Sequence, residues 1–380
     1  MPTRDEVAPF LAEIAANFDD DTPRLIFADW LEEQGDPWAE LIRVQCALAR
    51  LFPADSERKE LETRERELIA AHHDRWLRLL FDDGFENLRF RRGLIDVTLN
   101  AARFIADGAR LFERSPMVAG VWLHEVAPVA GRLSRSERLR HLHTLNLSAN
   151  LPAQQVLRAI VSDHLSQLAE LSLCSVRVQP GDLEVLSRSP LLENLQSLNL
   201  SSQRVSLSSD PLADTDSAIF AGVSPPPRLR ELKLATCGIH EETLTSFIDG
   251  GWLDRLTTLS LGYNHCRDAG LSLLVNRPAA VTLRSLSMPF NGVGVEGFAA
   301  VCRSPHLGSL EALNLRGNDL DDESALLFAE SQRLPKLRCL DLRPDYQSNP
   351  RPIRGRRQNV RLSSRSREAL RDRFGGRVLF

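Results

Sequence analysis

Several histidines, whose side chains can bind metal ions, lie close together in the first half of the chain. His141 and His143 flank Leu142, while His124 and Glu125 leave a neighbouring segment of alternating apolar residues. A zinc site needs three or four such groups converging on one point, with further groups that orient them. The spacing indicates only surface histidines on adjacent strands, so we predict no metal site and no cofactor.

Residues 292–297 match the GxGxxG pattern of phosphate-binding loops. In a dinucleotide-binding protein such a loop joins a strand to a helix within a βαβ unit. Here Gly297 stands 27 residues after Gly270, which is the period of a repeat that runs through this part of the chain. We therefore interpret Gly297 as a repeat position rather than as part of a nucleotide site.

The cysteines and serines show no arrangement typical of a catalytic nucleophile. The chain has six cysteines without a CxxC pair, no GxSxG elbow and no P-loop. Cys46 lies among apolar residues of a helical segment. Small, reduced and buried side chains are the common form of such cysteines. We predict that the protein is not an enzyme.

The elements that position all these residues follow from one repeated unit, which is clearest in LEALNLRGNDL at Leu310–Leu320. Its pattern is LxxLxLxxN, and ten copies occur at intervals of 24 to 27 residues with one interval of 34. The copies begin at Leu94, Val118, Leu142, Leu168, Leu195, Leu229, Leu256, Leu283, Leu310 and Leu337. The alternating LxL segment predicts a short strand, and the run after it predicts a helix. Neither can bury its apolar face alone, so the units must stack into a solenoid.

This unit resembles the leucine-rich repeats, and its 27-residue period with a helix in each unit is similar to the ribonuclease-inhibitor class. The resemblance implies an α/β fold: a leucine-rich-repeat solenoid with parallel strands on the concave face and helices on the convex face. Asn150, Asn264, Asn291 and Asn318 occupy the asparagine position of the motif, and Cys237 takes the same place. We expect these amides to satisfy backbone groups of the turn after each strand.

The first 82 residues contain no copy of the repeat and carry helix signals, such as Thr22 and Pro23 at a helix start. The segment Leu25–Leu48 resembles the bacterial repeat-companion domain through its ADWLEE-x-GDP core, which begins at Ala28. The resemblance implies a small all-helical domain before the solenoid and a bacterial source, with no known activity. Asp29 is a possible functional carboxylate of that core, and pairing with a neighbouring helix is its structural alternative.

Three regions are therefore predicted: a helical repeat-companion domain at 1–82, the solenoid at 83–345, and a basic linker with a C-terminal cap at 346–380. The N-terminus carries Asp5 and Glu6 and lacks the basic region and cleavage site of a signal peptide. No apolar run is long enough to span a bilayer. We expect a cytoplasmic protein that is monomeric in itself and does not bind a membrane.

The C-terminal segment differs in charge from the rest of the chain. From Arg343 to Phe380 there are 11 arginines against three carboxylates, a net charge of +8, so the remaining residues carry −12. Arginines neutralise phosphates, but no aromatic residue stands between Arg351 and Arg373 to stack on a base. Contact with an acidic surface is therefore the stronger interpretation, and nucleic-acid binding is the alternative.

The surface most open to a partner is the concave strand face, because the side chains between the strand leucines point outward. Most of them are small and polar, which favours a protein partner over a ligand enclosed in a deep pocket. The residues that we predict to bind it are Trp122, Asn146, Asn199, Lys233, Tyr263, Phe290, Asn314 and Arg316. Trp, Tyr and Arg are enriched at interface hot spots. Trp122 lies in an end repeat, so packing under the helical domain is its alternative role.

The sequence thus predicts a non-enzymatic protein-interaction module. A regulator of an enzyme, such as a GTPase activator, is the alternative function, because some repeat solenoids of this type work in that way. Seven extra residues within 202–223 are rich in Ser, Asp and Pro and predict an exposed loop. We interpret this insertion as a tolerated surface loop rather than as a partner contact, because loops accept insertions at little cost.

Overall fold

The computed structural model describes residues 2–52, 55–76, 86–147, 153–160, 162–176, 178, 180–187, 189, 193–202, 220, 222–344 and 362–379. The chain divides into two compact units. Unit 1 comprises Met1–Arg177, Arg188–Leu198 and Pro226–Arg228, and unit 2 comprises Val178–Ser187, Asn199–Pro225 and Leu229–Phe380. The predicted domain boundaries at 82/83 and 345/346 fall outside the described residues, as do Asn150, most of the 202–223 insertion and most of the basic segment. Those expectations stay predictions.

Unit 1 begins with four helices: α1 (Arg4–Ala16), α2 (Thr22–Glu33), α3 (Trp38–Arg50) and α4 (Arg58–Trp76). Helix α1 starts with a capping box, in which the Thr3 hydroxyl accepts from the Glu6 amide while the Glu6 carboxylate accepts from the Thr3 amide at 2.7 Å. Proline stands in the first turn of α2, as the sequence indicated. The N-terminal region is therefore helical, as predicted.

The repeats of unit 1 place a short parallel strand before a helix or helical turn. The elements are β1 (Glu86–Arg91), β2 (Leu94–Asn100), α5 (Ala101–Arg114), β3 (Val118–His124), α6 (Ala130–Leu133), β4 (Thr144–Asn146), α7 (Ala153–Ile160), β5 (Glu170–Ser172) and β6 (Ser197–Asn199), whose last residue belongs to unit 2. Strands β2 to β5 are parallel, with Thr98, Trp122, Asn146 and Ser172 in register.

One strand in unit 1 was not foreseen from the sequence. Strand β1 pairs antiparallel with β2 and turns back at Arg92 and Gly93, both of which have positive φ. The sequence predicts one strand for the copy of the repeat that begins at Leu94, and no hairpin before it. The hairpin is held from the helical region, because the Trp38 indole donates to the Gly93 carbonyl at 2.8 Å and the Gln45 side chain accepts from the Gly93 amide at 2.6 Å.

Helix α1 lies against the segments that lead into the strands of unit 1. The Arg4 guanidinium donates to the carbonyls of Pro116, Val118 and His141 at 2.6 to 2.9 Å. Further along, the Gln196 amide donates to the carbonyl of Ala15 at 2.9 Å. Charge-assisted bonds to backbone carbonyls are among the stronger hydrogen bonds, so they fix α1 to several repeats at once.

Unit 2 contains the most regular repeats. Its elements are α8 (Pro180–Ser187), β7 (Glu231–Lys233), α9 (Glu241–Asp249), β8 (Thr258–Ser260), α10 (Arg267–Val275), β9 (Ser285–Ser287), α11 (Val295–Arg303), β10 (Ala312–Asn314), α12 (Asp322–Glu330), β11 (Cys339–Asp341), α13 (Ser364–Phe374) and β12 (Val378–Leu379). Strands β7 to β11 pair in parallel, and their central leucines form one buried ladder. The ladder residues are Leu232, Leu259, Leu286, Leu313 and Leu340, each at most 1% exposed.

The core of unit 2 lies between this ladder and the helices. Phe247 from α9, Phe298 from α11 and Phe328 from α12 are fully buried there. At the end of the described chain β12 pairs in parallel with β11, and α13 packs against α12. The expected α/β leucine-rich-repeat solenoid fold, preceded by helices, is confirmed. No helix among the described residues is both long and apolar enough to cross a membrane.

Candidate functional site

The turns that follow the strands of unit 2 are built on buried asparagine side chains. The Asn264 carbonyl oxygen accepts from the backbone amides of Cys237 and Ile239, one repeat earlier, at 2.9 and 3.1 Å. Its amide nitrogen donates to the carbonyls of Leu234 and Leu261, both at 2.8 Å. Asn291 and Asn318 bond in the same way. These side chains therefore satisfy buried backbone groups of neighbouring repeats, as predicted, and fix the residues around each turn.

The residue before each of these asparagines has a left-handed backbone. Its φ is +58° at Tyr263, +56° at Phe290 and +67° at Gly317. Glycine adopts this conformation freely, whereas a bulky side chain there is a genuine outlier. Thus two consecutive repeats of unit 2 carry an aromatic residue at a position that favours glycine.

The two aromatic side chains are stacked on one another. The ring centroids of Tyr263 and Phe290 are 4.5 Å apart with planes inclined by 16°. The Phe290 ring also lies over the backbone of Gly317, where a Cβ would collide with it. The guanidinium carbon of Arg316 stands 6.0 Å from the centre of the Phe290 ring. The side chain of Tyr263 is 57% exposed, so one end of this stack faces solvent.

Beside this stack lies a row of outward-facing strand residues, which we call the strand face of unit 2. It consists of Lys233, Ser260, Ser287, Asn314 and Asp341, which are in register. Ser260 and Ser287 form the middle of the row. Lys233 stands on one side, and Asn314 stands on the other with Asp341, which is buried and pairs with Arg343 at 2.6 Å. Lys233 is half-exposed and pairs with Glu231 at 3.0 Å. The Asn314 side chain accepts from the Arg316 backbone amide at 3.0 Å, so it holds the start of the turn below Arg316.

Three of the sequence-predicted residues stand apart from this group. Asn199 is half-buried, and its side chain accepts from the Ser201 amide at 3.0 Å. Trp122 and Asn146 belong to unit 1, where they are neighbours on β3 and β4. Trp122 is 39% exposed, so it is not packed under the helical region, whereas Asn146 is buried at 8%. The structure therefore brings together Tyr263, Phe290 and Arg316, beside the strand row.

Comparison with known proteins agrees with this repeat geometry. A family model described as a leucine-rich repeat matches residues 306–329, which contain β10 and its asparagine-centred turn. The repeats of this chain are leucine-rich repeats in pattern and in fold. No curated protein matches it.

Several solved structures are similar to this leucine-rich-repeat chain at low identity. A protein from Bacteroides fragilis is 14% identical, with a TM-score of 0.37 over 66% of this chain and 82% of its own. The TLR13–ssRNA13 complex is 18% identical, with a TM-score of 0.37 over 66% of this chain and 35% of the TLR13 chain. An internalin from Listeria monocytogenes is 15% identical, with a TM-score of 0.34 over 69% of this chain and 72% of its own.

The histidines of the leucine-rich-repeat protein correct one expectation. We predicted surface histidines, but His143 is only 3% exposed. Burial and, next, the positive charge of Arg4 lower the pKa of its imidazole to about 3, and its Nδ1 has no hydrogen-bond partner among the described residues. Such a side chain is a neutral core group. No cluster of three or more His, Cys, Asp or Glu suited to a metal occurs in the described part of the chain.

In the glycine-rich loop at residues 292–297, backbone amides are hydrogen-bonded to a carboxylate of the protein itself. The backbone amides of Gly294 and Gly297 both donate to one carboxylate oxygen of Asp268, at 2.6 and 2.9 Å. The donors that would cradle a phosphate in a nucleotide site are thus bound to a side chain from the preceding repeat. This agrees with the interpretation of Gly297 as a repeat position.

Asp29 of the N-terminal region forms an ion pair. Its carboxylate and that of Glu32 each lie 2.7 Å from the Arg43 guanidinium, which connects α2 to α3. The hydrogen bond from Arg43 lowers the pKa of Glu32. Asp36 from the same segment is buried, accepts from the Trp38 amide at 3.0 Å and faces Arg75 at 3.1 Å. Both carboxylates have structural partners.

The cysteines have the character of packed side chains. Burial raises the pKa of Cys46, Cys266 and Cys302 to about 12 in each case, which disfavours the reactive thiolate. Cys237 takes the place of an asparagine in its repeat, and its thiol donates to the Leu200 carbonyl at 3.1 Å. It therefore replaces part of the hydrogen bonding of the missing amide.

Proposed function

We propose that this leucine-rich-repeat protein is a non-enzymatic interaction module that binds a protein partner on the strand face of unit 2. The contact would centre on Tyr263, Phe290 and Arg316, with Lys233 and Asn314 beside them. Trp122 would supply a separate contact in unit 1, because it is a large, partly exposed aromatic side chain. The chain itself would perform no chemistry on the partner.

The observation that carries this proposal is the pairing of backbone strain with exposure at the aromatic stack. A non-glycine residue in a left-handed conformation costs on the order of 1–3 kcal/mol. Tyr263 does not recover that cost through burial, because its side chain is 57% exposed. The equivalent position of the preceding repeat has Thr236, with φ of +58°, and that of the repeat after Phe290 has Gly317, which avoids the cost. Aromatic residues in strained, exposed positions are typical of binding surfaces.

The chemistry around the stack supports a protein partner rather than a small molecule. Ser260 and Ser287 are short side chains in the middle of the row, so the surface there is shallow. Small ligands favour enclosed pockets that bury most of their surface, whereas protein partners bind extended surfaces around a few anchors. Arg316 beside Phe290 adds a group that can form bidentate hydrogen bonds with a carboxylate.

The test is affinity purification from extracts of the source cell, with mass spectrometry of the retained proteins. Wild type is compared with Tyr263→Ala/Phe290→Ala and with Lys233→Glu/Arg316→Glu. A matched control, Arg158→Glu/Arg303→Glu, changes two exposed arginines on helices α7 and α11. A partner that wild type and the control retain, but both strand-face variants lose, supports the proposal once binding is reproduced with purified components. Equal retention by all the variants contradicts it.

A further inference from the structure

A groove of about 990 Å³ lies in unit 1, on a surface distinct from the strands. It is bounded by the start of α1, by the second half of α5 and by the segment from α6 to the short 3-10 helix Glu137–His141. All of its lining residues belong to unit 1. The volume is at the upper end of the range of roughly 300–1,000 Å³ that is typical of ligand pockets, and it is far larger than one small ion needs.

The floor of the groove is apolar. Ile105 and Ala109 lie on the outer side of α5, and Phe112 lies one turn further along it. The Phe112 ring is buried between the side chains of Arg4 and His141. The Arg4 guanidinium carbon lies 5.1 Å from the centre of the ring, and the centre of the His141 ring lies 4.9 Å from it. The aromatic ring therefore supports the floor from below, and the aliphatic side chains are the parts open to a partner.

One wall of the groove is basic. Arg132, Arg135 and Arg138 recur every three residues and line the same side. None of the three forms an ion pair or a side-chain hydrogen bond within the part of the chain that the structure describes. The neighbouring Arg140 differs, because it is paired with Glu137 at 2.9 Å. Three guanidinium groups with unused donors therefore face one surface.

Helix α5 is shaped to hold one of these arginines in place. Residue 108 of α5 is glycine, and a Cβ there would come within 2.8 Å of the Arg138 side chain. The aliphatic part of the Arg138 side chain thus packs against α5 at Gly108, where the helix has no side chain. The Nε atom of Arg138 and the hydroxyl of Ser136 are both buried, and neither has a hydrogen-bond partner among the described residues. Both atoms are closed to solvent, so neither is a donor that a partner can reach, and the exposed residues of this wall are Arg132 and Arg135.

The electrostatic environment at the groove is positive. The pKa of His141, which lines it, is lowered first by burial and then by the positive charges of Arg4 and Arg140. Asp5 also lines the groove and opposes this effect, while Glu113 and Glu137 are the other carboxylates that line it. Positive charge therefore exceeds negative charge around the apolar floor, but the carboxylates limit how much anionic charge the groove can accept.

We propose that this groove binds an acidic, amphipathic peptide segment of a protein partner. Apolar side chains of the segment would contact Ile105 and Ala109, while its carboxylates would pair with Arg132, Arg135 and Arg138. Planar guanidinium groups suit carboxylates because they form two parallel hydrogen bonds. An amphipathic helix that lays its apolar face in a groove is a common recognition mode. This site is independent of the proposed strand-face contact.

The observations favour a peptide over a nucleic acid. Phe112 is only 2% exposed, so it cannot stack on a base. Asp5 and Glu113 would face a continuous phosphate backbone, which carries a charge at every nucleotide. The aliphatic floor offers nothing to a phosphate and gives an apolar side chain a place to be buried.

The test is fluorescence anisotropy with the full chain and a labelled helical peptide built from repeats of Leu-Glu-Glu-Ala. Matched probes carry Gln in place of Glu, or Ser in place of Leu, and a labelled oligothymidylate tests the nucleic-acid alternative. We expect saturable binding of the acidic probe alone. Loss of either the charges or the leucines should weaken it by roughly tenfold or more, because the proposed contact needs both.

Variants then locate the binding on the protein. Ala109→Glu places a carboxylate on the exposed groove floor, and Arg132→Glu/Arg135→Glu reverses two exposed charges on its wall. Each should weaken the acidic probe by roughly tenfold. The matched controls are Ala102→Glu, an exposed position on the same helix that does not line the groove, and Arg158→Glu/Arg303→Glu. No saturable binding by wild type, equal weakening by the controls, or displacement of the peptide by oligothymidylate would overturn the proposal.

Discussion

The ring of Phe290 lies over the backbone of Gly317, which occupies the equivalent position in the next repeat. The two positions have the same left-handed backbone, with φ of +56° and +67°. A side chain at 317 would occupy the space of the Phe290 ring. The Phe290 ring can therefore lie where it does only because residue 317 has no side chain, and the aromatic stack ends at Arg316 and Gly317.

This relationship predicts that Gly317→Ala destabilises the protein. The new Cβ meets both a left-handed backbone and the Phe290 ring, so we expect a loss of about 2 kcal/mol or more in the free energy of unfolding. Urea denaturation followed by circular dichroism measures it. Gly308→Ala is the matched control, since a Cβ there meets nothing within 4 Å and its φ is not positive. Equal effects at the two glycines would contradict the packing described here.

The strain at Tyr263 predicts an unusual order of stabilities. At φ of +58° alanine keeps the backbone strain while glycine removes it, so Tyr263→Gly should be more stable than Tyr263→Ala by about 1 kcal/mol. At ordinary strand and helix positions glycine is the less stable of the two. Paired urea denaturation of both variants decides the order. If the alanine variant is the more stable, the left-handed conformation at 263 is wrong.

The buried ladder predicts a large effect at Leu286, which is fully buried between neighbouring leucines of β8 and β10. Leu286→Ala should lower the free energy of unfolding by roughly 2–5 kcal/mol, because it leaves a cavity in the core. Ser287→Ala, the next residue on the same strand, is half-buried and faces the other way, and it should change stability by less than about 1 kcal/mol. Thermal and urea unfolding compare the two, and an unchanged Leu286→Ala would exclude the ladder assignment.

The repeat period made the ladder predictable from sequence. Once Leu286 and Leu313 stand 27 residues apart in the same motif, their phase assigns each to the same strand position, and the structure pairs them. The same phase placed Lys233, Asn314 and Arg316 on or beside one face. Local alternation and a fixed spacing carry this information, because neighbouring repeats contact each other in the same way along the array.

Features that depend on contacts between distant segments were not predictable in this way. His143 has the local pattern of a surface residue, yet it is buried beside Arg4 from α1. The hairpin at Arg92 and Gly93 stands before the first copy of the repeat, so the repeat period does not encode it. The basic groove likewise needs Arg138 to lie across Gly108, a contact that no periodic pattern encodes.

The asparagine ladder predicts a further stability effect. Asn291→Ala removes the side chain that accepts from the Cys266 amide at 3.3 Å and donates to the Leu261 carbonyl at 2.9 Å. Because these backbone groups are buried, losing their partner should cost roughly 1–3 kcal/mol. Asn276→Ala, at an exposed helix end, is the matched control and should be close to neutral. Hydrogen exchange would also show faster exchange at the Cys266 amide in the Asn291 variant, and unchanged exchange there would contradict this role.

The burial of His143 predicts how stability depends on pH. The pKa of the folded imidazole is about 3, well below the ordinary value of 6.5, so the unfolded chain binds the proton more readily than the folded one. The stabilising contribution of the neutral histidine is therefore fully present above pH 6.5 and is lost progressively as the pH falls toward 3. Each fall of one pH unit within this range should lower the free energy of unfolding by up to roughly 1.4 kcal/mol. Urea titrations between pH 7 and about pH 4, for wild type and His143→Gln, measure this slope. The variant should lose that part of the dependence, and identical slopes would mean that His143 titrates alike in the folded and unfolded chains.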